Sequence, residues 1–189
     1  MAEDAITLIT RDHRRMEELF ARLRLEPDKR PQLLDELEAV FVAHSRAEED
    51  KVYPVIAEEG DPDKGMKTSA VEHHAAEKLL ERLKKAHPQS KEFGKRLQAF
   101  VTAVTHHVQE EELEVLPALK KAVDDTRLRE LGRAFDEQRT QEMRKFGGTS
   151  TGQVPRQRLY DEAKELGIDN YSGMDMQELV DAINRARRD

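Results

Sequence analysis

Two parts of this sequence repeat each other. The segments 44–54 and 107–117 align without a gap, and each contains a His, two Glu residues four and five positions later, and a Pro ten positions later. An acidic residue followed by His, at 12–13 and again at 72–73, precedes each segment and is followed by apolar residues at intervals of three and four. A unit written twice in one chain predicts two copies of the same helical hairpin.

The same apolar periodicity continues through residues 1–146. Three Pro- and Gly-containing clusters, 26–31, 59–65 and 87–90, interrupt it, because these residue types do not fit helix interiors. The helices predicted between and after these breaks span 3–25, 31–53, 65–86, 90–116 and 126–146. Since short connections join the first four, we expect an all-α fold: an antiparallel up-down four-helix bundle followed by a fifth helix.

Residues 147–155 have the Gly-, Ser- and Thr-rich composition of a flexible linker. Two short helical patterns follow, at about 156–166 and 176–187, with Gly167 in the turn between them. These predict a small C-terminal helical hairpin. The chain therefore divides into a bundle at 1–146, a linker at 147–155 and a hairpin at 156–189.

Composition excludes several kinds of protein. No apolar run approaches the roughly 18 residues of a membrane span, and the acidic start of the chain does not resemble a secretory signal. We therefore expect a cytoplasmic protein without a membrane partner. The formal net charge of -7 disfavours non-specific binding to nucleic acid, and the lack of cysteine leaves His and carboxylates as metal ligands.

Each of the first four predicted helices carries a histidine on its apolar face. At about 100° per residue, His44 and Glu48 share the apolar face of the second helix, and His107 and Glu111 share that of the fourth. The first and third helices each add one histidine. The six inward-facing polar residues are His13, His44, Glu48, His73, His107 and Glu111.

Six polar groups in one core must neutralise one another or bind a cation, since an isolated buried carboxylate costs several kcal/mol. A single His on an apolar face is most often a hydrogen-bonded core residue, but four in register with two Glu favour metal ligation. Four imidazoles and two carboxylates suit two adjacent ions that share both carboxylates. We therefore predict a dinuclear non-haem site whose ligands are its only catalytic groups. Iron is the preferred metal, and manganese and zinc accept the same ligands.

Other residues lie close to this pattern. His74 and His106 each neighbour a predicted ligand but lie about 100° from the inward face. We predict that these two histidines and Glu77, one turn after the ligand of the third helix, support the ligands or transfer protons. Tyr53 ends the second helix, and its angle from Glu48 disfavours contact with the site.

The repeated His and His-x-x-x-Glu pattern resembles the hemerythrin-like family, specifically the HHE cation-binding domain, over residues 1 to about 120. The resemblance implies two irons bridged by the glutamates and by an oxo or hydroxo group. The family ligands correspond to His13, His44, Glu48, His73, His107 and Glu111.

Oxygen-carrying hemerythrins have a further His where this sequence has Glu77. Members without that His are associated with handling peroxide or nitric oxide, or with sensing iron and oxygen. The resemblance therefore leads us to expect hydrogen peroxide decomposition. Reversible binding or sensing of dioxygen, nitric oxide or iron without turnover is the alternative.

Residues 158–183 resemble the N-terminal helical module of transcription termination factor Rho, which is related to SAP modules. The resemblance implies contact with nucleic acid. However, residues 155–189 contain six basic and eight acidic side chains, a poor complement to a phosphate backbone. We therefore place a protein partner or a passive role ahead of nucleic acid. A further alternative is that the metal state controls a contact between this hairpin and a partner.

Overall fold

The computed structural model describes residues 3–59 and 66–146, together with a few positions of the C-terminal segment: 163–164, 166–168, 171, 174, 182 and 186. The chain divides into two compact units, residues 1–146 and residues 147–189. Every regular element within 3–59 and 66–146 is helical. The predicted linker and most of the predicted hairpin lie outside the described residues and stay predictions.

The first unit contains seven α-helices within the described residues. These are α1 Ala5–Leu25, α2 Arg30–Ala47, α3 Tyr53–Glu59, α4 Met66–Lys84, α5 Lys91–Glu110, α6 Leu116–Ala122 and α7 Asp125–Lys145. A one-turn π-helix, π1 Glu48–Val52, connects α2 to α3, and a second, π2 Glu111–Val115, connects α5 to α6. A 3-10 turn at Pro27–Lys29 precedes α2.

Capping side chains fix where three helices begin. Asp4 accepts a hydrogen bond from the backbone N–H of Thr7 at 2.9 Å, and Ser90 accepts one from the N–H of Phe93 at 3.1 Å. Asp124 caps α7 in the same way. Because a cap satisfies a backbone donor that the helix leaves unpaired, these residues set the starts of α1, α5 and α7 close to their predicted positions.

The prediction that the second and fourth helices end before Pro54 and Pro117 is wrong. The chain stays helical through both prolines, as α3 and α6. The N–H of Tyr53 donates to the carbonyl of Glu48, five residues back, and Leu116 repeats this bond in π2. A proline ring normally clashes with the carbonyl four residues back. The wider π turn just before each proline changes that spacing, so the helix continues.

Two clusters of buried apolar side chains form the core of this unit. One lies mainly between α1, α2, α4 and α5 and includes Phe41 and Phe100. The other lies around the start of α1, π1, α3, α6 and α7 and includes Ile56 and Phe135. Along α1 the buried polar residues between the two clusters are Asp12 and His13, and the other predicted ligands occupy the same level of their helices. Helix α7, which corresponds to the fifth helix predicted from the sequence, packs against α1 and α2.

None of the helices in the described ranges combines the length and hydropathy of a membrane span.

Candidate metal centre

All six predicted ligands lie together in the interior of the first unit, at most 4% exposed to solvent. One group consists of His13, His44, Glu48 and Glu111, and a second consists of Glu48, His73 and His107. Within each group, one ligand atom from every residue lies within 4.8 Å of the others. Since Glu48 belongs to both groups, the side chains form two adjacent sets of ligand atoms.

Glu48 lies between histidines from different helices. Its Oε1 is 3.3 Å from Nε2 of His44, and its Oε2 is 3.5 Å from Nε2 of His73. Nε2 of His73 in turn lies 2.8 Å from Nε2 of His107. The two oxygens of Glu48 therefore face two different ligand sets, which is the arrangement of a bridging carboxylate.

Glu111 has a similar position on the opposite hairpin. Its Oε2 lies 3.1 Å from Nε2 of His13 and 3.8 Å from Nε2 of His107. Glu111 thus also stands between a histidine of the first hairpin and one of the second.

Several of these inward atoms have no hydrogen-bond partner. They are Nε2 of His13 and of His44, Oε1 of Glu48, and both oxygens of Glu111. A buried polar atom left without a partner costs about 1–3 kcal/mol, more when it is charged. The unpartnered atoms converge on one region, and imidazole nitrogens with carboxylate oxygens are the donors that divalent iron, manganese and zinc accept. The residues present therefore fit a pair of metal ions.

Burial and mutual charge set the ionisation of the cluster. Burial raises the pKa of Glu48 well above its ordinary value, and the neighbouring Glu111 charge adds to this. Burial would raise the pKa of Glu111 too, but the proximity and charge of His13 outweigh it and lower the pKa to about 2. Burial lowers the pKa of His44 to about 4. Cation binding to such a cluster is coupled to proton release, since ligands bind in their deprotonated forms.

The outward nitrogen of each histidine faces a carboxylate. The Nδ1 distances are 2.9 Å from His13 to Glu112, 3.1 Å from His73 to Glu49, 3.0 Å from His107 to Glu72 and 3.5 Å from His44 to Asp12. The first three are hydrogen bonds, whereas Nδ1 of His44 faces Asp12 without forming one. A carboxylate on Nδ1 makes that nitrogen the donor and leaves the Nε2 lone pair for a metal.

These four carboxylates occupy equivalent positions in the two copies of the repeat, and none of them was predicted to support the ligands. Asp12 and Glu72 directly precede a predicted ligand and each face the other histidine of their own hairpin. Glu49 and Glu112 directly follow a predicted ligand and each face a histidine of the opposite hairpin. The sequence feature that could have indicated their role is that both acidic neighbours of the ligands recur in both copies of the repeat.

Tyr53 reaches the site, so the prediction that its angle disfavours contact is wrong. Its hydroxyl donates a hydrogen bond to Oε2 of Glu48 at 3.1 Å, and its ring stacks on His73 with centroids 6.0 Å apart. In an α-helix, residues five apart are about 140° apart around the axis. The π turn closes a hydrogen bond between residues 48 and 53 and brings them onto the same side. The repeat places Leu116 at the equivalent position, so only one hairpin carries this hydroxyl.

The structure does not bring His74 and His106 to the cluster. Their side chains are 66% and 64% exposed. Glu77 accepts a hydrogen bond from Arg46 at 2.7 Å, and the same guanidinium donates to Glu49 at 2.9 Å. Glu77 is therefore connected to the histidine ligands only through a surface network.

A buried arginine of α7 contacts one of the outer carboxylates. Arg139 donates from Nε to Oδ2 of Asp12, and both side chains are buried. Burial would raise the pKa of Asp12, but contact with His44 and the charge of Arg139 outweigh it and hold the pKa below its ordinary value. Sequence periodicity gave no indication of this contact, because the two residues are 127 positions apart.

The family model of the hemerythrin HHE cation binding domain matches residues 4–119. This chain belongs to that family, and the predicted resemblance is confirmed for the bundle. No comparison tested the resemblance of the C-terminal segment to the Rho module, which stays a prediction.

Two known proteins are similar to the chain. A solved hemerythrin HHE cation binding domain-containing protein of Mycobacterium kansasii matches with a TM-score of 0.66 and 19% identity, over 97% of this chain and 99% of that one. This likeness shows a shared, hemerythrin-like fold. A Nostoc protein named a DNA nickase is 25% identical over 150 residues. The match covers 77% of this chain and 42% of that protein, so the chain spans less than half of this relative.

Proposed function

We propose that this protein holds two iron ions in the buried cluster and uses them to decompose hydrogen peroxide. His13 and His44 would hold one ion and His73 and His107 the other, with Glu48 and Glu111 between them. The observation that carries the proposal is the convergence of unpartnered, buried Nε2 and carboxylate atoms in two ligand sets that share Glu48.

The chemistry needs two electrons to be stored and recovered. An iron pair held by these histidines and glutamates would supply the redox chemistry: two electrons for the reduction of one H2O2 to two waters, and their recovery in the oxidation of a second H2O2 to O2. The reduction consumes two protons and the oxidation releases two. We assign this proton exchange to Glu77, which lies one turn after His73 and accepts a hydrogen bond from Arg46. The guanidinium of Arg46 stays protonated, so it holds Glu77 in place and does not carry the proton.

The two sides of the cluster differ in how closely the carboxylates approach, because Oε2 of Glu111 lies 3.1 Å from Nε2 of His13 but 3.8 Å from Nε2 of His107. The set around His13 and His44 contains both glutamates, whereas the set around His73 and His107 contains one. Glu77 occupies the position of the additional histidine in oxygen-carrying hemerythrins and pairs instead with Arg46. Catalytic metal sites leave a coordination position for a small molecule, and the His73 side has that character here.

The helix order and the C-terminal segment are part of the proposal. Arg30 donates to backbone carbonyls of Leu23 and Pro88, and Gln89 donates to the carbonyl of Pro27 at 3.3 Å. The α1–α2 and α4–α5 connections therefore meet at one end, which supports an antiparallel up-down bundle.

For residues 156–189 we propose a helical hairpin that docks a protein partner, with a cytoplasmic location for the whole protein.

Metal analysis and oxygen evolution test the central proposal. Protein made in iron-replete cells should contain about two irons per chain and release O2 steadily when peroxide is added. Glu48→Ala should abolish both properties because it removes the shared ligand. Glu58→Ala, which changes an exposed glutamate of α3, is the matched control and should leave both unchanged.

Three results would contradict the proposal in different ways. Less than one metal per folded chain would mean that the polar groups neutralise one another. Two irons with stable adducts of dioxygen or nitric oxide and no turnover would support a carrier or sensor. Turnover that persists in Glu48→Ala would place the reaction elsewhere.

A function on DNA is the second candidate, because the name of the Nostoc relative and the resemblance of the C-terminal segment both point to it. We place it second because the formal net charge of -7 opposes binding to a phosphate backbone. Conversion of supercoiled plasmid to open circles, with peroxide removed by added catalase, tests it. Nicking by the metal-loaded protein but not by Glu48→Ala would make this the primary function.

A further inference from the structure

Helix α7 lies outside the matched family domain but contacts a carboxylate next to the predicted ligands. The family match ends at residue 119, and α7 begins at residue 125. Arg139 of α7 is 6% exposed and forms a buried ion pair with Asp12 of α1, which is 2% exposed. A buried ion pair resists separation, because removing one partner leaves an uncompensated charge in the interior.

Arg139 and His44 contact the same oxygen of Asp12. The Nε of Arg139 donates to Oδ2 of Asp12, and Nδ1 of His44 lies 3.5 Å from that atom. The other three ligand histidines lie 2.9 to 3.1 Å from their carboxylates. The arginine thus fixes the position of the carboxylate that faces Nδ1 of His44.

The repeat shows that this arrangement is specific to the first hairpin. Glu72 is the counterpart of Asp12, its side chain is 27% exposed, and it lies near His106 and Glu110 at the surface. The positions equivalent to His106 and Glu110 are Ala43 and Ala47, each with 0% exposure. These small side chains belong to α2, against which α7 packs.

We propose that Arg139 is a positioning residue for the metal centre: it holds Asp12, and through Asp12 it orients His44 as a ligand. This inference rests on the proposed metal binding, but it does not require peroxide decomposition. Without the guanidinium, the buried Asp12 carboxylate loses its counter-charge and turns away from Nδ1 of His44. Partners of ligand histidines typically contribute about 10–100-fold to metal affinity.

The test is the affinity of the full-length, metal-free protein for Co2+, which accepts the same ligands and has visible absorption bands that report the ligand environment. Arg139→Met should weaken Co2+ binding about tenfold or more and alter these bands. Arg139→Lys keeps a positive charge and should recover most of the affinity. Arg133→Met removes an exposed arginine from the same helix and should leave affinity and bands unchanged.

A double-mutant cycle distinguishes positioning from simple packing. If Arg139 acts through Asp12, then Asp12→Asn with Arg139→Met should weaken Co2+ binding no more than Asp12→Asn alone. The double variant also removes both charges of the Asp12–Arg139 pair, so it provides the comparison if Arg139→Met does not fold.

Wild-type affinity in a folded Arg139→Met variant, or losses that add in the double variant, would overturn the inference. A wild-type protein that binds no Co2+ would instead overturn the metal site itself, so the two failures are distinguishable.

Discussion

His44 shows at the residue scale how burial selects the state of a ligand. It lies between the Asp12 carboxylate on its Nδ1 side and Glu48 on its Nε2 side. Burial nevertheless keeps its pKa low, near 4, so the imidazole is neutral at physiological pH. A neutral imidazole is the form that binds a metal ion, and the folded protein therefore presents His44 ready for ligation.

The pKa of His44 predicts a loss of stability in acid. An unfolded chain holds histidine at a pKa of about 6.5, so between about 6.5 and 4 the unfolded state binds a proton that the folded state excludes. The free energy of unfolding of the metal-free protein should therefore fall as pH drops through this window, by roughly 3 kcal/mol from this group. Urea titrations at several pH values measure this change, and His44→Gln should flatten the dependence. Equal slopes in the variant and wild type would contradict the assignment.

At the element scale, α7 is held against the N-terminal segment by a close backbone approach. A Cβ at Gly132 would lie 2.4 Å from the carbonyl oxygen of Glu3 and 2.9 Å from the backbone N of Ala5. These contacts involve backbone atoms, which cannot rotate away as a side chain can. Glycine is therefore required at this position for α7 to pack beside the start of α1.

Two glycine substitutions test this packing. Gly132→Ala should lower the free energy of unfolding by about 1–3 kcal/mol, because the added methyl forces the backbone apart. Gly94→Ala is the matched control: Gly94 lies in the first turn of α5, and no atom lies within 4 Å of its added Cβ. It should raise stability by about 0.5–1 kcal/mol, since alanine favours helix over glycine. Thermal and urea unfolding measure both, and a neutral Gly132→Ala would show that α7 can shift freely.

In the first unit as a whole, the polar cluster lies between two apolar cores. The core around Phe41 and the core around Phe135 meet at the level of the ligands, where side chains of four helices converge. Without a cation this layer contains unpartnered polar atoms. Metal binding should therefore stabilise the whole unit and not only its site.

Metal removal tests this coupling. A ligand that binds only the folded state, at about 100 times its dissociation constant, adds about 2.7 kcal/mol to the free energy of unfolding. The melting temperature should therefore rise when iron or Co2+ is added and fall when a chelator removes it. Glu48→Ala should show no such dependence, because it lacks the shared ligand. A melting temperature independent of metal in the wild-type protein would contradict a site formed by the fold.

Much of the fold and the six converging side chains could be predicted from the sequence. Helical periodicity is local, and a residue such as His107 reveals its inward direction through the spacing of its own neighbours. The repeat supports the same prediction a second time, since His107 and Glu111 match His44 and Glu48. Helical periodicity alone did not predict that His74 is exposed or that the chain stays helical through Pro54.

Spacing along a single helix suffices to predict the helical class, the repeat and the set of inward polar residues. Which groups meet between helices depends instead on how the helices pack. Glu49 and Glu112 lie off the inward faces of their own helices yet face histidines of the opposite hairpin. Tyr53 reaches Glu48 because a π turn changes the helical register, and Arg139 reaches Asp12 because α7 packs on α1. Such contacts depend on packing and on departures from ideal helix geometry, which local periodicity does not encode.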